Sequence, residues 1–308
     1  MSTSRLTALK DGRWSRLVWL VPAALAVLVV LVLLARWVRA QPAVADWVTR
    51  YPGVAPLPAG APVGTPAWVA ITHFLNLFFM VLIVKSGMSI RHTRRPSGHW
   101  TRRFPPPRGG HRPTTITLEQ WFHVSLDMLW LVNGMVFAVL LLTSGRWVRL
   151  VPTSWDVLPN AASAALQYLS LQWPHENGWV AYNALQLLAY FGTVFVLAPA
   201  AALTGIRLSA LWPKNNPTAD RLYPIERARA VHYPVMLLFV LFVIVHVTMV
   251  LTTGALRNLN HMFALRDDTS WLGLGGLAIA VVLIVAAWVA ARPVVLKPLA
   301  ALTGKVTR

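Results

Sequence analysis

His232 and His246 stand fourteen residues apart in one apolar stretch, HYPVMLLFVLFVIVHVTMVL. On a helix, fourteen residues rise about 21 Å and turn through nearly four whole turns. Both imidazoles therefore leave almost the same face, one towards each side of a bilayer. Ionisable groups inside a membrane span are costly and functional by default. Two imidazoles on one stripe, spaced like a stack of two ligands, suit a pair of haems held across a membrane, since haem iron takes axial histidines.

The elements that must position such ligands are legible from composition. The 308 residues are 56% apolar and only 12% charged, with 15 Trp, which is the make-up of a polytopic membrane protein. Cys is absent, so disulfides, thiolate zinc, iron–sulfur clusters and c-type haem attachment are all excluded. Any metal centre must use His, Met or oxygen ligands. Six stretches are long enough to span: roughly Leu17–Val38, Ala67–Ile90, Leu118–Leu142, Val180–Leu211, His232–Leu256 and Trp271–Ala291. The first follows a basic amino terminus like a signal peptide, but its solid Leu/Val block and weak cleavage region favour a retained anchor.

A net charge of +18 does not imply nucleic acid, because the cations lie in short blocks between apolar runs. Arg5, Lys10, Arg13 and Arg16 precede the first segment, and Arg91, Arg94, Arg95, Arg102, Arg103, Arg108 and Arg112 follow the second. Lys214, Arg221, Arg227 and Arg229 precede the fifth, and Arg292, Lys297, Lys305 and Arg308 follow the last. The opposite loops hold only Arg39, Arg50, Arg146, Arg149, Arg257 and Arg266. The bias of Lys and Arg to the cytoplasmic side then places both termini in the cytoplasm. The Pro- and Gly-rich Gln41–Pro66 is expected as an irregular outside loop. In the loop Ser144–Asn177, NAASAALQYLSL can form a short helix, either on the membrane surface or against a partner. FPPPRGGHRP reads as a solvated, lipid-facing basic loop.

Of nine histidines, His92, His99, His111, His175 and His261 fall in loops and are expected as solvated polar residues. His73, His123, His232 and His246 fall in spans. With the directions above, His73 and His246 share the outer leaflet, and His123 and His232 the inner. That supplies two axial ligands for each of two haems, in the bundle core where such cofactors sit. A single span histidine can simply bond a neighbouring helix; four in depth-matched pairs are harder to obtain that way.

Asp127 lies one turn beyond His123, with Glu119 one turn before it. Two readings of Asp127 stand side by side: a proton path to a quinone near the inner haem, or a helix–helix hydrogen bond. Arg229, three residues before His232, is placed to pair with an inner haem propionate or to act as a topogenic charge. Arg146 and Arg149 are weaker candidates for the same task outside. Gly87, Gly134, Gly192, Gly205 and Gly254 suit close approach of a porphyrin or ordinary helix packing, and the Trp residues suit an aromatic belt.

The chain resembles the bacterial di-haem b-type cytochromes, the membrane subunits of nickel–iron hydrogenases, formate dehydrogenase and thiosulfate reductase. THFLNLFFMVLIVKSGMSI looks like their first core helix, with His73, Phe74, Asn76 and Gly87 in the pattern's places. WFHVSLDMLWLVNGMVFAVLLLTSGRW is similar to the second, with its ligand at His123. YNALQLLAYFGTVFVLAPAAALTGIRLS looks like the thiosulfate-reductase branch, and RAVHYPVMLLFVLFVIVHVTMVLTTG resembles the last core helix with its two ligands. The likeness covers roughly Trp68–Gly254. It departs in having an added first helix, so that the core enters from outside. The resemblance implies a quinone as substrate and a catalytic oxidoreductase partner of molybdopterin type.

The expectation is an all-α integral membrane protein with six transmembrane helices. Residues 1–40 form the amino terminus and anchor, 41–66 an outside loop, 67–256 a four-helix core, and 257–308 the last helix and basic tail. Two bis-histidine b haems, held by His73, His246, His123 and His232 as iron ligands, carry electrons across the plasma membrane between quinone and a partner. A stand-alone transmembrane haem reductase and a non-haem transporter using its span histidines are the rivals.

Overall fold

The computed structural model describes residues 13–54, 57–103, 115–173, 177–210, 212–213 and 216–307, with side chains of the first helix from residue 19. His111, His175, Arg5, Lys10, Arg108, Arg112, Lys214, Arg308 and the FPPPRGGHRP loop lie outside the described residues, as do the side chains of Arg13 and Arg16. The protein is an all-α integral membrane protein, with six helices among the described residues long and apolar enough to cross a membrane. Their outward faces are aliphatic: Leu25, Val132, Leu203, Ile244 and Ile279 are each more than half exposed. In water such surfaces would drive association, whereas in lipid they are solvated.

The chain divides into two compact units. One comprises the described residues up to Pro58 with Pro152–Asn177 and Ala181–Leu188; the other comprises Ala59–Val151, Gly178–Val180 and the described residues from Ala189. The first unit begins with the spanning helix α1 (Arg13–Arg39). A short helix α2 (Pro42–Arg50) follows where the sequence suggests an irregular loop. The reason is local: Pro42 sits in the first turn, where its missing N–H is not needed, and the breakers are concentrated beyond residue 51. NAASAALQYLSL lies on helix α5 (Val157–Leu169), whose buried face is Val157, Asn160, Ala161, Ser163, Ala164 and Gln167. It packs against its own unit: Asn160 Oδ1 accepts the Gly53 N–H at 3.0 Å, and Gln167 Nε2 donates to the Pro52 carbonyl at 3.0 Å. Gly53 has φ +99°, and a Cβ there would stand 3.4 Å from that of Ala164, so no larger residue suits this turn.

In the second unit α3 (Ala67–His92) and α4 (Leu118–Thr143) match the expected spans within a residue or two. Thr117 and Gln120 close a capping box at the start of α4. Between these helices β1 (His99–Arg102) pairs with β2 (Thr115–Thr117) and with β3 (Gly304–Thr307), forming a small antiparallel sheet in the order β2-β1-β3. Trp100 and Val306 turn inward onto Leu118, Leu296 and Ala300.

The fourth span is α6 (Ala184–Gly192), a π turn (Thr193–Leu197) and α7 (Ala198–Leu208). It starts later than Val180 because Asn183 caps it: Asn183 Oδ1 accepts from Gln186 N at 2.8 Å and Gln186 Oε1 from Asn183 N at 3.2 Å. The π turn has its cause in Pro199, which has no N–H for the Phe195 carbonyl; the Ala198 N–H reaches back to Thr193 instead.

After the short α8 (Pro217–Leu222) comes α9 (Ile225–Thr252), which begins seven residues before the expected His232. Pro224 stops the chain there, Glu226 favours the first turn, and the charged residues prolong the helix beyond the apolar run. Then follow α10 (Ala255–Leu259), a second π turn (Asn260–Ala264), the spanning α11 (Leu272–Ala290) and α12 (Pro293–Ala301).

Two polar clusters tie this unit's connections. Arg149 is buried and donates to the carbonyls of Pro62, Gly178, Trp179 and Val180 at 2.8–3.2 Å. Arg149→Ala leaves buried acceptors unpaired and should cost about 3 kcal/mol, read as a lowered melting temperature in detergent, with Arg149→Lys only partly restoring it. Beyond α9, Asp268 accepts from the Ser270 N–H and hydroxyl and from Asn260, with Arg266 beside it. The Ser270 bonds hold its carboxyl below the ordinary range. A depressed carboxyl stabilises the loop fully above about pH 4 and loses that contribution as the pH falls through its folded value. Protection of the amides of residues 266–271, taken relative to their intrinsic exchange rates, should fall in acid below that point, and Asp268→Asn should remove the dependence.

Candidate functional site

The four span histidines meet in two pairs. His73 on α3 faces His246 on α9, with ring centroids 6.2 Å apart, and His123 on α4 faces His232 on α9 at 6.3 Å. An iron ~2 Å from each of two imidazole nitrogens, with each ring centre ~1 Å behind its nitrogen, spaces the ring centres about 6 Å apart. Both pairs stand at that separation. Among the described residues no three His, Cys, Asp or Glu side chains gather as a metal site. A group that brings four equatorial nitrogens of its own needs only two protein ligands, and that is the donor set present.

The second nitrogens are informative. His123 Nδ1 lies 2.8 Å from Ser86 Oγ, and His232 Nδ1 lies 2.8 Å from Thr204 Oγ1. Each hydroxyl has one proton, and each gives it to its own helix: Ser86 to the Ile83 carbonyl at 2.9 Å, Thr204 to the Ala200 carbonyl at 2.7 Å. With those protons on the helix carbonyls, the tautomer that satisfies every group is Nδ1–H in both imidazoles, which leaves the Nε2 lone pairs free to bind a metal. In the other pair, His73 Nδ1 is buried with no hydrogen-bond partner among the described residues, an unsatisfied atom of the kind functional sites retain.

Glycine and aromatic residues shape the surroundings. A Cβ on Gly87 would lie 3.4 Å from His123 Cε1, and one on Gly205 would lie 3.7 Å from His232 Cε1. Gly134, Gly192 and Gly254 have no such neighbour within 4 Å. His246 is stacked on Phe242 at 5.6 Å and has Tyr190 edge-on at 5.9 Å. Between the two pairs lies an apolar layer of Met80, Val235 and Phe239, with Trp130 edge-on to Phe239. Trp130 donates to Asn76 Oδ1 at 2.6 Å, and Asn133 to the Thr72 carbonyl at 3.0 Å, so α3 and α4 are held in register on either side of the histidines.

Asp127 stands beside the His123/His232 pair, its Oδ2 3.7 Å from His123 Nε2. Glu119 is engaged elsewhere, accepting from the Ser97 N–H and hydroxyl at 3.1 and 2.7 Å. Arg229 is exposed on the second turn of α9. Arg146 and Arg149 are engaged by loop carbonyls. Arg146 donates to the Val63 and Gly64 carbonyls, and Arg149 to those already named. Their five-donor forks suit loop carbonyls better than a solvated loop position suggests.

Several residues escape a reading by span and spacing. Ser86 and Thr204 are ordinary small residues in helices. Arg91, whose guanidinium lies 4.1 Å from the Tyr233 ring, looks merely topogenic. His261, expected to be solvated, is buried, bonds Asp267 at 2.7 Å and packs on Trp179 at 5.3 Å. Only the Ser86 position carried a hint, one residue before a glycine at a family place.

Comparisons with known proteins identify the family. Over 200 residues the chain is 32% identical to the putative protein-methionine-sulfoxide reductase subunit YedZ1 of Azospira oryzae, covering 60% of this chain and 88% of the relative. No solved structure matches. The model of the family described as prokaryotic cytochrome b561 matches residues 64–264, which span α3 to the second π turn and hold all four paired histidines; the chain belongs to that family and is a multi-pass membrane cytochrome b.

Proposed function

We propose that the chain is the di-haem membrane subunit of a bacterial reductase and carries electrons across the plasma membrane. The observation that carries this reading is the pair of imidazole pairs, each at the separation of a bis-histidine iron site. His73 and His246 would hold the outer haem b, His123 and His232 the inner one. Haem supplies reversible one-electron chemistry; the protein supplies burial, orientation and electrostatics.

The residues around the pairs have defined tasks in this reading. Ser86 and Thr204 keep the Nδ1 protons of the inner ligands. Phe242, Tyr190 and the Met80–Phe239 layer exclude water from the path between the pairs. Arg229 supplies a cation towards an inner propionate from the cytoplasmic end of α9. Asp127, close to His123, takes up or releases a proton as a quinone exchanges electrons at the inner side. The basic loops support cytoplasmic amino and carboxyl termini. On that orientation, the outer pair faces an extracytoplasmic catalytic subunit.

The printed name of the Azospira relative, a putative methionine-sulfoxide reductase subunit, supports a reductase as partner. The likeness of α6–α7 to the thiosulfate-reductase branch supports a molybdopterin enzyme for that role.

Purified protein reduced with dithionite should give a sharp b-type spectrum, with a haem content of two per chain. His246→Ala should lower this to one, and so should His123→Ala. A content of one in the unaltered protein, or no loss in either variant, would overturn the di-haem assignment. An associated reductase subunit should co-purify from the native membrane.

A further inference from the structure

The two imidazole pairs differ in what their outward nitrogens meet. In the inner pair each Nδ1 lies 2.8 Å from a hydroxyl oxygen placed to accept its proton. Those hydroxyls come from two different helices, Ser86 on α3 and Thr204 on α7, and each passes its own proton to a helix carbonyl. A hydroxyl oxygen whose proton is already donated is a better acceptor, because hydrogen bonds in a chain polarise one another. In the outer pair, His73 Nδ1 is buried without a partner among the described residues, and His246 is flanked by the rings of Phe242 and Tyr190.

The position of Thr204 depends on a particular fault in its helix. The π turn at Thr193–Leu197 adds one residue to the turn before α7 and so rotates everything beyond it. Tyr190, before the turn, meets His246; Thr204, after it, meets His232. One span thus serves both histidines of α9 with different chemistry, aromatic at one level and hydroxyl at the other.

We propose that Ser86 and Thr204 are positioning residues that set the potential of the inner site below that of the outer one. The proposal rests on the di-haem reading. An imidazole that donates from Nδ1 gains electron density at Nε2, becomes a stronger ligand and favours the oxidised metal. Two such ligands act on the inner iron, whereas at the outer site at least His73 lacks the bond. An electron entering at the inner pair therefore moves downhill to the outer pair, from the cytoplasmic leaflet outward. The reductant delivering it at the inner side belongs to the class of quinols, which surrender a proton with each electron.

The test is a spectroelectrochemical titration of the purified holoprotein. The unaltered protein should titrate in two components, and His246→Ala should retain only the lower one, which identifies the inner site. Ser86→Ala and Thr204→Val should each shift that lower component to higher potential and leave the other in place. Ser86→Thr and Thr204→Ser, which restore the hydroxyl, should return it. The two positions lie on different helices and Thr204→Val keeps the side-chain shape, so poor folding of one variant leaves the other as readout. Unchanged midpoints in both hydroxyl-free variants, or a shift of the component lost in His246→Ala, would overturn the proposal while leaving two haems per chain intact. Two components surviving in His246→Ala would instead overturn the ligand assignment itself, and this inference with it.

Discussion

A neutral imidazole has one nitrogen that donates and one that accepts, and in the hydrocarbon of a bilayer water can serve neither. Much of the second unit answers that constraint for its four span histidines. Ser86 and Thr204 take the protons of His123 and His232, and the facing rings stand about 6 Å apart with their remaining lone pairs available. His73 keeps a buried nitrogen with no protein partner. That nitrogen is a standing cost, whereas the lone pairs that face the partner ring are the ones a metal bound between the rings would use.

The helices are arranged around α9, which contributes one histidine to each pair. Its fourteen-residue spacing sets two levels, and the other helices are matched to those levels. On α3, Gly87 is fourteen residues beyond His73, so that one level presents an imidazole and the other a gap beside His123. Across α6 and α7, Tyr190 and Thr204 are again fourteen apart. Here the π turn before Pro199 alters the phase, so matching levels required a local departure from the α-helix. The Asn76–Trp130 and Asn133–Thr72 bonds keep α3 and α4 aligned, which holds His73 and His123 at different depths.

Much of this was legible in the chain. Runs of about twenty apolar residues located six spans, since a bilayer accepts little else. Ends were less legible where polar side chains extend or cap a helix: α9 runs out to Ile225 on ERARA, and α6 waits for the Asn183 cap. A reading by composition missed α2, because Pro at the first turn of a helix looks the same as Pro in a loop. Arg149 and His261 also defeated it. Both sit in connecting segments where polar residues are ordinarily solvated, and both are buried by backbone folded over them.

The sequence by itself determined the class of protein, the spans and the four histidines, because periodicity and burial in lipid act on each helix separately. The pairing by depth also followed, given span directions, because helical rise is constant. Which small residues stand behind those histidines was decided only in three dimensions. Serine, threonine and glycine occur throughout membrane helices; nothing in its own segment distinguishes Thr204, Ser86 has only its place beside a family glycine, and Gly87 and Gly205 read equally well as ordinary packing glycines. Their meaning comes from the neighbour that each one meets on another helix, and that depends on crossing geometry, helix phase and one π turn.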